Sequence, residues 1–350
     1  MTSGYGKVYS RIGQCHLPKP ANLVTKLEAK TYDGVQSGPM KFRDFKFNRF
    51  LFFKYSLGTL FIVIFLLGIP LAIFRKNIEE AYRQKQTINW VVQHQGTYFY
   101  QHYSQADFVR PEPPTPGWLR NLIGDDYFFQ LEVIDFSKSN VSNLSSLPPS
   151  LHVKMLYLDN TLIADITPLS NFKSINHLVA NNSPIENISP LSQLHDLEFL
   201  YLSGTKVTDL QPLSRLDNMI LIEVNDTPLS DLSPLINQKS LVVLCINNTS
   251  VTDLSPLAQM NGLDRFELSG TKVEDLTPIQ NLHTLRYLDI SGTKVRNLRP
   301  IDRLYLTHLI LCGCQISEKE IDTYQRLHPS CKITRPNDPP PAILIPSRPR

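Results

Sequence analysis

Two hydrophobic rhythms divide the chain. Residues 55–74 run for twenty positions without a charge, bounded by Lys54 on one side and Arg75-Lys76 on the other. From Leu131 onward the apolar positions instead recur at i, i+3 and i+5, as in Leu263, Phe266 and Leu268. That spacing predicts one short strand per copy, with alternate side chains pointing inward. Three places on comes a short hydroxyl residue: Ser139, Thr161, Ser183, Thr205, Thr227, Thr249, Thr271 and Thr293. Its oxygen is suited to bond the backbone groups of a tight corner, giving a buried ladder.

A second apolar group then closes each copy with Pro-Leu or Pro-Ile. Pro168, Pro190, Pro212, Pro234, Pro256, Pro278 and Pro300 keep a constant interval of 22 residues. A period held that tightly is the mark of a stacked repeat. Asp209, Asp231, Asp253 and Asp275 precede the prolines as helix-capping residues, and a proline just inside a short turn wastes no hydrogen bond. An earlier, proline-free copy starts at Leu131 and a last one at Leu306, after a one-residue deletion. About nine strands result.

This pattern resembles the leucine-rich-repeat family, in particular the 22-residue class of bacterial internalins, over roughly Leu131 to Ile333. The resemblance implies an α/β repeat solenoid, a horseshoe with a parallel concave sheet, short 3₁₀ or helical convex turns and capped ends. It also implies a protein that binds a protein partner through its concave face. Residues 116–130 read as the amino-terminal cap. Ile316 to Leu327 reads as a carboxyl-terminal cap helix, and Pro329 to Ile333 as a closing strand.

Twenty residues at helical rise match a hydrocarbon core of ~30 Å, so 55–74 is expected to be one transmembrane helix. Residues 1–54 carry ten Lys/Arg against three Asp/Glu, whereas 75–350 carry 25 against 29. The positive-inside rule then puts the basic amino-terminal segment in the cytoplasm and the repeats outside. Residues 75–115 read as a juxtamembrane stalk and proline-rich linker, with Tyr98-Phe99-Tyr100 as an interfacial belt or oligomer contact. Residues 334–350, with six prolines, read as a disordered tail. A fragment spanning 109–335 is therefore expected to fold alone. Asn-x-Ser/Thr matches such as Asn181 and Asn247 end on the buried hydroxyl, where a glycan would clash. That favours a bacterial inner membrane with periplasmic repeats.

Candidate chemistry is sparse. No phosphate-cradling glycine loop, HExxH, paired CxxC or Gly-x-Ser-x-Gly occurs, the nine histidines are scattered, and no enzyme, cofactor or metal site is expected. The near-neutral balance suggests no nucleic acid. Cys312, Cys314 and Cys331 fall at the carboxyl-terminal cap, where one disulfide and free thiols both fit.

The residues between the inward leucines face out from the sheet. Met155, Tyr157, His177, Val179, Phe199 and Tyr201 then form an exposed apolar and aromatic patch, and Arg265, Glu267, Tyr287 and Asp289 a charged end. Together these ten are the candidate partner-binding residues. The alternative is a structural or assembly factor of a bacterial envelope complex.

Overall fold

A computed structural model describes residues 57–100, 129–137, 139–150 and 152–339, with side chains from residue 75. The first element, α1, spans Leu57–Gln93. It covers most of the apolar run 55–74, whose side chains lie outside the description. Among the described residues no helix is long and apolar enough to cross a membrane.

From Glu80 onward the described residues form one compact unit built around a single sheet of eleven strands in sequence order. β1 (Thr97–Tyr100) pairs antiparallel with β2 (Leu131–Asp135). All later pairings are parallel: β3 Met155–Tyr157, β4 His177–Val179, β5 Phe199–Tyr201, β6 Leu221–Glu223 and β7 Val243–Cys245. β8 Arg265–Glu267, β9 Tyr287–Asp289, β10 His308–Ile310 and β11 Lys332–Thr334 follow. From β2 to β9 each residue pairs with the one a full period later, Val133 with Met155 and so on to Tyr287. The deletion before Leu306 is absorbed without a bulge, since Tyr287 simply pairs with His308.

Seven 3₁₀ turns, from Thr167–Asn171 to Arg299–Ile301, form the opposite wall, each with its proline in the first turn. The aspartates sit one residue earlier than a cap should: the cap position of the fourth repeat, for instance, is Leu210. Asn143, Asp165, Asn187, Asp209, Asp231, Asp253, Asp275 and Asn297 instead accept the N–H two residues on, at 2.7–3.0 Å. This is an Asx turn, which Asn serves as well as Asp. Hydroxyl donors on Thr167, Ser233 and Ser255 hold Asp165, Asp231 and Asp253 below the usual carboxylate range.

The hydroxyl ladder forms as the spacing predicts. Thr161, Thr205, Thr227, Thr249, Thr271 and Thr293 are buried, and each donates to the carbonyl three residues back at 2.6–2.9 Å. Ser183, one methyl smaller, reaches across to Leu158 O of the preceding repeat at 2.7 Å. Cys314 takes the next rung, its thiol donating to Ile290 O at 2.9 Å. Cys245, Cys312, Cys314 and Cys331 are all free thiols.

The stalk expected at 75–115 is corrected in its first part. Gln84, Thr87, Ile88 and Val91 recur at helical spacing and, with Trp90, turn one buried face of α1 onto the first repeat. Gln84 donates to Phe129 O at 2.6 Å and accepts from Leu131 N at 2.9 Å. Trp90 packs edge-on against Phe136 at 5.6 Å and donates to Ser146 Oγ. Tyr98 and Tyr100 lie on β1 against the core rather than in an interfacial belt. The cap expected at 116–130 lies outside the described residues except for Phe129 and Gln130. At the other end α2 (Glu318–Leu327) starts at Ser317, whose side chain accepts from Glu320 N, and buries Ile321 and Tyr324 before the closing strand β11.

Candidate partner-binding face

The strand register lines up three columns on the sheet face. The third is backbone scaffolding: side-chain oxygens of Asp159, Asn181, Ser203, Asn225 and Asn247 each accept the N–H of the corresponding residue one repeat later, at 2.7–3.1 Å. These residues fix the spacing of the first two columns and are committed to doing so.

The first two columns bring together all ten candidate residues, four of them out of reach. His177 is 1% exposed, Phe199 and Tyr201 4% each, and Val179 is also buried, whereas Met155 and Tyr157 are half-buried. The exposed aromatic patch is therefore corrected to a packed one. Strands ~4.8 Å apart leave no free volume between large neighbouring side chains. The His177 ring stands 5.4 Å from Phe199, 5.5 Å from Tyr201 and 5.8 Å from Tyr157. Leu221, Val243 and Cys245, which continue the columns, are buried too.

Solvent reaches the other end. Arg265, Glu267, Tyr287 and Asp289 are half-buried, with Glu223 beside them. Arg265 lies 4.0 Å from the centre of the Tyr287 ring, and its Nε donates to Glu267 Oε1 at 2.6 Å. Glu267 Oε2 accepts from Asn247, Glu223 from Ser203, and Asp289 from both the N–H and hydroxyl of Ser291. Burial pushes the carboxyls of Glu223 and Asp289 above their usual range, and the Tyr287 hydroxyl up to about 12. Burial likewise holds the neighbouring His308 imidazole below its ordinary value. Among the described residues no group of three His, Cys, Asp or Glu is placed to hold a metal ion.

Parallel three-residue strands on one side, 3₁₀ turns on the other and a polar ladder at the corner decide the architecture. The fold is a leucine-rich-repeat solenoid. No known family's sequence profile and no curated protein matches the chain. Among solved structures, a leucine-rich-repeat protein of Leptospira interrogans superposes with a TM-score of 0.50 at 21% identity, over 57% of this chain and 59% of that one. An internalin C2 of Listeria monocytogenes gives 0.49 at 24% identity, over 53% of this chain and 81% of its own. At such identities the likeness concerns the fold. Leucine-rich-repeat sheets alternate inward leucines with outward residues, and it is the packing of those outward residues on each other that sequence columns alone did not reveal.

Proposed function

We propose that this chain is a membrane-anchored leucine-rich-repeat protein that binds a protein partner through its concave sheet face. The supporting observation is the half-buried strip of Arg265, Glu267, Tyr287 and Asp289, continuous along the sheet with the packed floor of His177, Val179, Phe199 and Tyr201. Met155 and Tyr157 border that floor at its other end. Large, partly desolvated side chains ringed by polar ones are the usual anchors of protein interfaces. A binding role rather than catalysis suits a face that is a shallow sheet. The anchor is the apolar run 55–74, with the basic segment 1–54 in the cytoplasm and the repeats in the periplasm of a bacterial inner membrane.

The test is photocrosslinking in the native membrane, with benzophenone-bearing residues at Tyr157 or Tyr287 and, as a comparison, at Asp209 or Gln280 on the turn side. Products from the sheet positions alone are expected, and products from the turn positions alone would reject the reading. The second role, an assembly factor of an envelope complex, is supported by the basic segment as a further contact. It predicts a partner retained by the full chain and lost from the isolated repeat unit.

A further inference from the structure

The second column runs Glu223, Cys245, Glu267, Asp289 on four consecutive strands. Three carboxylates thus stand on β6, β8 and β9, and the cation facing them from β6–β9 is Arg265. Neighbouring side chains offer no other positive charge: Leu221, Val243 and Tyr287 share the adjacent column, and His308 on β10 is held toward neutrality. Like charges half-withdrawn from water repel, and the Glu267 carboxylate adds to burial in raising the proton affinity of Glu223, against the hydrogen bonds from Ser203 and Asn225 that lower it.

Two observations bear on what offsets it. The face already grips one guanidinium: Arg265 is held between the Glu267 carboxylate and the Tyr287 ring, a pairing of ion pair and cation–π contact. Glu223 and Asp289 flank that grip on either side with neutral donors: the Ser203 hydroxyl and Asn225 side chain on Glu223, and the N–H and hydroxyl of Ser291 on Asp289. Independently, the Cys245 thiol stands in the column between Glu223 and Glu267, buried and with no hydrogen-bond partner. Burial raises its proton affinity well above the ordinary value, so it stays a neutral, weakly polar floor beneath the carboxylates. A dry floor beside three carboxylates that face one arginine strengthens the attraction for a further organic cation.

We infer that the concave face between β6 and β9 takes a lysine- or arginine-bearing segment of a protein partner, its cations seated against Glu223, Glu267 and Asp289. This deepens the partner-binding reading and rests on it. The occupant is a basic protein segment because a strip four strands long suits several side chains in a row, as an extended polypeptide presents them.

The probe is a fluorescein-labelled hexalysine peptide, with hexaglutamine as its neutral counterpart, titrated against the full chain in detergent micelles. Hexalysine should bind with a salt-sensitive affinity and hexaglutamine should not. Glu223→Gln/Glu267→Gln/Asp289→Asn should weaken hexalysine at least tenfold. Glu186→Gln/Asp196→Asn/Asp217→Asn, which removes the same charge from exposed positions off this face, should leave it within twofold. Equal weakening by both triple variants, or by neither, overturns the inference. Thermal melting of the first triple checks its folding, since it removes the Arg265–Glu267 ion pair together with the repulsion. If that triple fails to fold, Glu223→Gln alone, expected to weaken hexalysine about threefold, takes its place. Should Tyr287 crosslink a native partner that hexalysine cannot displace, the cationic chemistry fails while the face survives. Crosslinks confined to the turn side would instead reject the face itself.

Discussion

At the scale of single residues, two kinds of position set the corners of the stack. The buried threonine hydroxyls satisfy carbonyls that no strand can reach, so Thr249→Val should cost about 1–3 kcal/mol in chemical denaturation. No change beyond error would remove the ladder from the account of stability. The glycines at positive φ are a second kind. Gly270 has φ 70°, and a Cβ there would collide with Asn248 Oδ1, which the preceding turn extends toward it. Asn248 itself donates to Asp226, so it cannot easily withdraw. Gly270→Ala should therefore destabilise by more than the ~1 kcal/mol of an ordinary left-handed position, read as a drop in denaturation midpoint. Gly292, whose neighbour in the previous turn is Gly270, meets no such side chain, and Gly292→Ala should cost less. The threonine ladder was legible in the sequence because it is periodic. The asparagine-to-glycine contacts were not, because they alternate irregularly from repeat to repeat.

At the scale of elements, legibility followed the repeat. Strand positions and the 3₁₀ turns could be placed from spacing alone, since each copy restates the same constraints, whereas α2 showed in its capping residues and apolar spacing and β11 in the family resemblance. The amino-terminal cap could not. Its buried face of Gln84, Thr87, Ile88, Trp90 and Val91 is only half apolar, and it follows an apolar run strong enough to draw the eye to a membrane. Three of its five members act through hydrogen bonds, Gln84 to Phe129 and Leu131, Thr87 to Pro148 and Trp90 to Ser146, and hydropathy does not register such contacts. The consequence for fragment design is direct. A fragment of residues 109–335 leaves Phe136 and Leu131 without their cover and should aggregate or lose near-ultraviolet circular dichroism, whereas 80–338 should fold. If both fold equally, α1 is not the cap. Within the longer fragment Trp90→Ala should cost roughly 3–5 kcal/mol, the range for deleting a large buried aromatic.

At the scale of the whole molecule, the proposed membrane topology rests on charge asymmetry. The basic excess before residue 55 and the mild acidity after residue 75 predict repeats on the non-cytoplasmic side. Protease added to intact spheroplasts should therefore reach the carboxyl-terminal part of the chain; its protection until the membrane is broken would invert the orientation. The binding face was legible only in outline. Its columns follow from period and register, but whether a side chain in them meets solvent depends on the bulk of its neighbours on the adjacent strands. Small and charged neighbours leave Glu267 and Asp289 reachable, while His177 and Tyr201 are packed ring against ring.

The ladder that hands each third-column oxygen to the next repeat does not run the length of the sheet. Ser269 N–H still donates to Asn247 Oδ1, but Ser291 N–H turns back to Asp289 of its own strand, and Ser137 N–H at the far end does the same with Asp135. The handover thus ends at β8, and the joints beyond it lack a bond worth about 1 kcal/mol. In a stack held together by nearest-neighbour terms, a joint weaker than its neighbours is where cooperativity divides. Amide hydrogen exchange should then resolve two opening units, with Tyr287 to Thr334 exchanging at a lower free energy than Met155 to Glu267. A single common opening energy across both would mean that the remaining bonds, Gly270 N to Ser291 O among them, already weld the joint.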